Sequence, residues 1–456
     1  MRPFRLLALA LFVAALGAFI YFYERHEPTT DQRAERKDKL FATLEADQAT
    51  RVVIDNSHGR FELAKEDGEW RLVLPVADDA NQGTVAGLLS TLSGLKAERT
   101  LAVGEVKLAD FGLDTSTLGV RVEGATGTLA ALKLGSELPL GNTRAALTDG
   151  RNVFLVSKFV ATDVDRDLAG WRSDQLARVF AADVVSLTVA RGTQRVALAQ
   201  SSGVWTMTEP VTDLADRERA EGLISDIGAA RIKEFLDAAG DAAAVRLGAP
   251  AAEVTIVRKD KPPLKLSFGS ERTKGGSDQV ACCRGDRAFW VEKNAAARAT
   301  AVAEEWRAKK LVQLDTWAAD TFALTAASKK AELTKEDGQW KAGSTVVDGG
   351  AVSRRLGVLA DLQVQAFDRA QPAVAELGRV KVKAEGGAVV EATFYPGASE
   401  AEAIAVVAGR SGAMAVDGAR VGELLADPLA LVAPKPTPAP TSTPAPDATP
   451  VTEATQ

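Results

Sequence analysis

The sequence predicts an α+β protein built from three tandem copies of one module, each combining antiparallel β-hairpins with an amphipathic helix. The first observation is a repeated motif, which reads LAKEDGEWRLVLP around Trp70, LAQSSGVWTMTEP around Trp205 and LTKEDGQWKAGST around Trp340. The second is the spacing, because successive tryptophans of this set are 135 residues apart. The third is a run of regularly spaced apolar residues that follows each tryptophan. A period this long indicates repeats the size of whole domains.

Length and composition agree with three folded modules. The chain has 456 residues, of which 46% are hydrophobic and 25% are charged, as in ordinary globular domains. The formal net charge is −6, and no local basic patch stands out. Nucleic-acid binding requires such a patch, so we expect no nucleic-acid partner.

Each motif has the pattern of a β-hairpin. In the first copy, alternating apolar residues lead to an Asp67-Gly68 pair, which suits a turn that needs positive φ angles. The return strand carries Trp70 and should end at Pro75, matched by Pro210 in the second copy, because proline has no amide proton to donate.

A helix is predicted after each hairpin, and its apolar face should cover the tryptophan. Asp79 or Asn81 can cap the first helix, Asp216 the second and Asp348 the third. The predicted core positions of the three helices are Val85, Leu88, Leu89, Leu92, Leu95, Leu223, Ile224, Ile227, Val352, Leu356, Leu359 and Leu362.

The rest of the module also repeats. Strand pairs follow the helix, one of them around an Asp149-Gly150 turn, and LKLG, NVFLV and WRSDQL of the first copy correspond to LSFG, RAFWV and WRAKKL of the second. The third copy is shorter and lacks the WR motif. The predicted organisation is a membrane anchor at 1–24, a charged linker at 25–45, module 1 at 46–178, module 2 at 179–313, a divergent module 3 at 314–433, and a disordered tail rich in Pro, Thr and Ala at 434–456.

The N-terminus predicts a single membrane-spanning helix. Residues 4–23 are almost wholly apolar, and a helix of this length, at about 1.5 Å per residue, crosses the hydrocarbon core of a bilayer. No clear small-x-small cleavage site follows, so we expect a retained signal-anchor in the inner (cytoplasmic) membrane. Basic residues flank the segment on both sides and leave its orientation open.

The residues that commonly carry chemistry are scarce. The chain has only two histidines, His26 in the linker and His58 in a hairpin turn that we expect to be exposed. Asp78 and Asp79 form a carboxylate pair that acid/base chemistry would require, but their position before a helix favours capping. No nucleotide-binding, nucleophile-elbow or zinc-protease motif occurs, so we predict no catalytic, cofactor-binding or metal-binding residue and no cofactor.

Two other residue types have open alternatives. Cys282 and Cys283 are adjacent, which disfavours a disulfide between them, and they align with Leu147 and Thr148 of the first copy. Packing is the favoured role, with a redox or metal-binding thiol as the alternative. The regular recurrence of the tryptophans favours core positions over stacking on sugars.

Copy one resembles a bacterial family, domain of unknown function 4340. The resemblance lies in EDGEW, DFGLD, LKLGSELPLGNTRAAL, VFLV and WRSDQL, is looser in copy two and is faint in copy three. It implies an exported protein that is tethered by one N-terminal helix and encoded beside an ABC-type transport system similar to the gliding-motility one. It supplies no catalytic residues. Two departures are Ala145 or Ala146, where the family often has tyrosine, and the Pro-Thr tail.

Together these features predict a non-enzymatic, envelope-facing scaffold or accessory protein with its modules in the periplasm or outside the cell. The expected partners are the membrane, through the N-terminal helix, and ABC-type transporter subunits or envelope proteins. Two alternatives remain open, a module that binds cell-wall glycan or surface polymer and a hydrolase that uses carboxylates.

Overall fold

Three nine-stranded antiparallel sheets, one in each module, form the framework of the protein in a computed structural model. The structure describes residues 39–434 apart from residues 140, 141, 149, 239, 385, 386 and 388. The chain divides into two compact units, Met1–Asp174 with module 1 and Gln175–Gln456 with modules 2 and 3. The predicted α+β architecture of repeated hairpins and helices is confirmed.

The three sheets have the same strand order. In module 1 it is β4-β3-β2-β1-β6-β7-β8-β9-β5, so the chain leaves the sheet at β4 and returns at the opposite edge with β5. The long helix lies between these two strands in sequence. It therefore crosses one face of the sheet from edge to edge and buries that face.

The nine strands and the long helix occur in the same order in each module, whereas the short helices differ. Module 1 comprises β1 (Ala49–Asn56), β2 (Gly59–Glu66), β3 (Glu69–Leu74), β4 (Asp78–Asp79), α1 (Gln82–Gly94), β5 (Arg99–Ala102), β6 (Gly119–Gly124), β7 (Gly127–Glu137), β8 (Thr143–Leu147), β9 (Asn152–Ser157), α2 (Val160–Val164) and α3 (Leu168–Trp171). Module 2 comprises β10 (Val184–Arg191), β11 (Gln194–Ser201), β12 (Val204–Glu209), β13 (Asp213–Leu214), α4 (Arg217–Ala229), β14 (Ile232–Leu236), α5 (Asp241–Ala244), β15 (Ala252–Arg258), β16 (Lys261–Lys274), β17 (Ser277–Arg284), β18 (Arg287–Glu292) and α6 (Asn294–Ala297). Module 3 comprises β19 (Ala319–Ala326), β20 (Lys329–Glu336), β21 (Gln339–Ala342), β22 (Thr345–Val346), α7 (Gly349–Asp361), β23 (Val364–Arg369), β24 (Gly378–Ala384), β25 (Val389–Pro396), β26 (Glu402–Val407), β27 (Ala413–Asp417), α8 (Gly418–Leu425) and α9 (Pro428–Val432).

The repeated motif forms the predicted hairpin. In module 1, Lys65 of β2 lies opposite Trp70 of β3, and the turn between these strands contains Asp67 at φ 49° and Gly68 at φ 84°. Two successive positive φ angles match the right-handed twist of the flanking strands. Strand β3 ends at Leu74, immediately before Pro75, as the missing proline amide predicts.

The helix caps are those expected at three positions. The side chains of Asn81, Asp216 and Asp348 each accept a hydrogen bond from a backbone N–H in the first turn of the following helix. This bond satisfies a donor that has no partner within the helix. Asp79, the other candidate for the first cap, instead pairs with Arg71 across the sheet edge at 2.7 Å.

The tryptophan of each hairpin lies in the core beneath its own helix. Trp70, Trp205 and Trp340 are 6%, 1% and 6% exposed, and each belongs to a separate hydrophobic cluster. A backbone hydrogen bond also ties each tryptophan to the residue just before the helix cap. These bonds join Ala80 N to Trp70 O at 3.3 Å, Ala215 N to Trp205 O at 3.0 Å and Val347 N to Trp340 O at 3.0 Å.

The second face of each sheet is covered only in part. In module 1 the segment from β5 to β6 packs over the end of the sheet and buries a small cluster of Leu113, Ala145 and Val153. A Cβ atom at Gly135 would clash with the carbonyl oxygen of Phe111 in this segment. This close approach explains why the LKLG motif ends in glycine.

The structure does not test the predicted membrane anchor or the predicted tail. No helix among the described residues is both long and apolar enough to cross a membrane. The predicted anchor at residues 4–23, residues 25–38 of the linker and the tail beyond residue 434 lie outside the described residues.

We expect Trp205→Ala to lower the stability of module 2 by roughly 3–5 kcal/mol, because it leaves a large cavity under α4. Hydrogen exchange followed by mass spectrometry can localise the loss to peptides of module 2. Trp317→Ala is the matched control, since this side chain is 87% exposed and the hydrogen bonds of residue 317 involve only its backbone. Equal hydrogen exchange of the module 2 peptides in the two variants would contradict the role of Trp205 as a core anchor.

Candidate functional site

The tryptophans named from the sequence do not form a sugar-stacking surface. All five side chains are buried at 6% exposure or less, and they are Trp70, Trp171, Trp205, Trp306 and Trp340. Stacking on a sugar requires an accessible ring face. Their regular recurrence therefore reflects the repeated core, as predicted.

The histidines do not form a site in the described part of the chain. His58 is exposed in the turn between β1 and β2, as predicted, and its backbone N–H donates to Asn56 Oδ1 at 2.9 Å. His26 lies outside the described residues. Among residues that the structure describes, no three His, Cys, Asp or Glu side chains come together to hold a metal ion.

The two neighbouring carboxylates of module 1 serve different partners. Asp78 is buried and forms an ion pair with Arg172 at 2.9 Å, while Asp79 pairs with Arg71. The prediction that this pair caps the helix was wrong, because Asn81 takes that position. The two carboxylates also do not share a proton-transfer site, since adjacent residues of a strand direct their side chains to opposite faces.

The same buried pair recurs in module 2. Asp213 on β13 is fully buried and accepts a hydrogen bond from Nε of Arg307, which is itself 4% exposed. Arg172 and Arg307 are the arginines of the two WR motifs, and both pairs are separated by 94 residues. The aspartate and the arginine each recur at the repeat spacing, which is visible in the sequence. The ion pair between them was not predicted.

Module 3 completes the charge cluster around Asp213. Arg410, in the turn between β26 and β27, donates from Nε to Asp213 Oδ1 at 2.6 Å. Asp368 at the end of β23 accepts from Nη1 of Arg307 at 2.8 Å. We call these four residues, Asp213, Arg307, Asp368 and Arg410, the joint cluster.

The arginines of the joint cluster also hold the segment that connects modules 2 and 3. Arg410 donates to the carbonyl oxygens of Ala308, Lys310 and Leu311 at 2.8–3.0 Å. Arg307 donates to the carbonyl oxygen of Ser411 at 2.8 Å. Each module thus binds backbone of the other, and the connection has a fixed path.

The electrostatics of the joint cluster are balanced. Two guanidinium groups face two carboxylates, and the guanidinium of Arg307 lies 4.1 Å from the ring centroid of Phe367. Burying one charge alone costs several kcal/mol, so removing either partner of such a pair is far more harmful than removing an exposed pair. The cluster therefore makes the contact between modules 2 and 3 specific.

Module 3 lacks its own version of the pair. In the edge hairpins, Asp78 lies opposite Leu72, Asp213 opposite Met207, and the equivalent position of module 3 is Thr345 opposite Ala342. Thr345 is exposed, and no WR motif follows in this module. The aspartate and arginine thus occur in the modules that have a successor in this chain.

The two cysteines are free thiols on β17. Burial raises the pKa of Cys282, and burial with the nearby carboxylate of Asp286 raises the pKa of Cys283. Both effects disfavour the reactive thiolate, which supports the packing role. The strand register pairs Cys282 with Phe268, as Ala146 pairs with Leu134 in module 1, so the alignment with Leu147 and Thr148 was wrong by one residue.

A groove of about 600 Å³ lies on the partly covered face of the module 1 sheet. Ser116, Thr117 and Leu118 form its wall, at the end of the segment between β5 and β6 that covers part of this face. Its floor includes Gly119 and Ala131. Four cationic and two anionic side chains line it, namely Arg51, Arg60, Arg121, Lys133, Asp55 and Glu123. The groove therefore has an excess of positive charge.

A family model described as a domain of unknown function, DUF4340, matches residues 70–250 and again residues 205–379. The chain belongs to the DUF4340 family. The two DUF4340 matches begin at Trp70 and Trp205, so they follow the repeat, and each includes one buried Asp–Arg pair. A comparison with curated proteins finds no match.

We expect Asp213→Asn to lower the stability of the contact between modules 2 and 3 by roughly 3–5 kcal/mol, because an amide would leave two guanidinium groups buried without their shared carboxylate. Hydrogen exchange should increase both at β13 and at the turn that carries Arg410. Glu209→Gln is the control, since it breaks an exposed pair with Arg195 in the same module. Unchanged exchange at the Arg410 turn would contradict the proposed role of the joint cluster.

Proposed function

We propose that this DUF4340 protein is a non-enzymatic scaffold, anchored in the cytoplasmic membrane by residues 4–23, which holds an ABC-type transporter subunit or another envelope protein. Its modules lie in the periplasm or outside the cell. This function needs rigid surfaces, an anchor and a partner, and each of these has separate support.

The joint cluster is the observation that carries the proposal. Asp213, Arg307 and Arg410 are buried and fully engaged between modules 2 and 3, which fixes their two sheets relative to each other. A partner that contacts both modules then loses little conformational entropy of the scaffold when it binds. The partly covered sheet faces supply polar surface for such contacts.

The proposed location rests on the sequence. Residues 4–23 have the length and apolar character of a membrane span, and no convincing cleavage site follows them. The tail from residue 434 is rich in Pro and Thr, a composition tolerated at cell surfaces. The family resemblance supports both export and proximity to a transport system.

We expect protease added to cells with a permeabilised outer membrane to remove the tail beyond residue 434 while a cytoplasmic marker stays intact. An epitope placed after Gln456 reports the loss on an immunoblot. The same cells opened completely provide the control for protease activity on the tail. A tail that is cut only after complete opening would place the modules in the cytoplasm and exclude the proposed location.

We expect affinity isolation of the full chain, crosslinked in cells and solubilised in detergent, to recover subunits of a membrane transport system. The Asp213→Asn variant should recover less of them, because it loosens the surface formed by modules 2 and 3. The Glu209→Gln variant should recover as much as the unmodified chain. Recovery of glycan fragments without a protein partner would favour the polymer-binding alternative instead.

A further inference from the structure

Two of the four cations in the groove of module 1 have no carboxylate within 4.0 Å among the residues that the structure describes. Arg51 pairs with Glu62 and Glu123, and Arg60 pairs with Asp55 at 3.4 Å. No carboxylate among the described residues lies within 4.0 Å of the other two cations, Arg121 and Lys133. The excess charge of the groove is therefore concentrated on these two side chains.

The strand register brings these cations together. Arg121 on β6 lies opposite Ala131 on β7, and Lys133 lies opposite Gly119. The two cations are thus diagonal neighbours on one face of the sheet, about 7–8 Å apart at the backbone, which long side chains can span. Like charges in this arrangement repel each other, and an anion between them would offset the repulsion.

Module 3 shows how a cation at the sheet position of Arg121 is neutralised elsewhere. Lys381, the counterpart of Arg121, lies opposite Glu391 and pairs with it at 3.3 Å. Arg379, the counterpart of Gly119, pairs with Glu376 at 3.1 Å. Module 1 has Ala131 where module 3 has Glu391, so no carboxylate lies opposite Arg121 in the strand pair.

Small residues lie between the cations in the groove lining. Ala131 has only a methyl group, and Gly119 has no side chain. Thr117 and Thr148 add hydroxyl groups at the wall. The volume of about 600 Å³ falls within the roughly 300–1,000 Å³ of ligand sites in proteins.

We propose that this groove binds an anionic ligand through a carboxylate or phosphate group held between Arg121 and Lys133. The guanidinium offers two parallel N–H donors to such a group, and the ammonium adds a point charge. This binding site goes beyond the scaffold role and does not depend on the location of the modules. The anion is either a small free ion or one unit of a polymer.

The test is calorimetric titration of the detergent-solubilised full chain with inorganic phosphate and, separately, with a short linear polyphosphate. We expect the double substitution Arg121→Gln and Lys133→Gln to weaken binding at least about tenfold, because both charge-assisted contacts are lost. Ala131→Glu should weaken binding to a similar extent by giving Arg121 the partner that module 3 provides. Added NaCl should also weaken binding.

The matched control is the double substitution Arg379→Gln and Lys381→Gln, which removes the same charge from the corresponding face of module 3. It should leave the affinity within about twofold of the unmodified chain. Binding of phosphate alone would identify a small-anion site, and binding of polyphosphate alone a polymer site; both support the proposal. If neither phosphate nor polyphosphate binds, or if the two double substitutions weaken binding equally, the proposal is overturned.

Discussion

Each nine-stranded sheet has two faces, but the single long helix of its module covers only one of them. The covered face holds the tryptophan of the hairpin and the leucines of the helix, and its burial is the main source of stability in each module. The other face must therefore be polar or be covered by loops. In module 1 the covering segment ends at Ser116–Leu118, and the groove begins there because the rest of the face is open. The location of the groove thus follows from the point at which the segment between β5 and β6 ends.

The features that were predicted from the sequence depend on neighbours in the chain. An Asp67-Gly68 turn, a cap at Asp216 and an apolar helix face are set by residues within a few positions of each other, so pattern alone determines them. Burial of Trp205 was predicted in the same way, from the strand pattern around it and the apolar helix face that follows. The assignment of Asp78 as a cap was wrong because its partner, Arg172, lies 94 residues away and the sequence gives no distance between them.

The groove and the joint cluster required the strand register and the contact between modules. The sequence shows Arg121 as one charge among many, and only the strand register reveals that Ala131, and not a carboxylate, lies opposite it. Likewise, Arg410 is not part of a WR motif. It nevertheless donates a hydrogen bond to the carboxylate of Asp213, which lies 197 residues earlier in the chain. Whether a charged residue of a repeat is neutralised therefore depends on the residue that faces it. An alignment of the repeats shows this only when the strand register is also known.

The exposed Thr345, which replaces the aspartate of the other modules, limits how such a chain can lengthen by gene duplication. A copy of module 2 inserted ahead of module 3 would bring Asp213 and Arg307 with it, and these residues would meet Asp368 and Arg410 of module 3. A copy added behind module 3 would meet a threonine and no tryptophan-arginine sequence, so it would begin as an unattached domain. Addition of a module is thus favoured ahead of module 3, where the charged partners are already present.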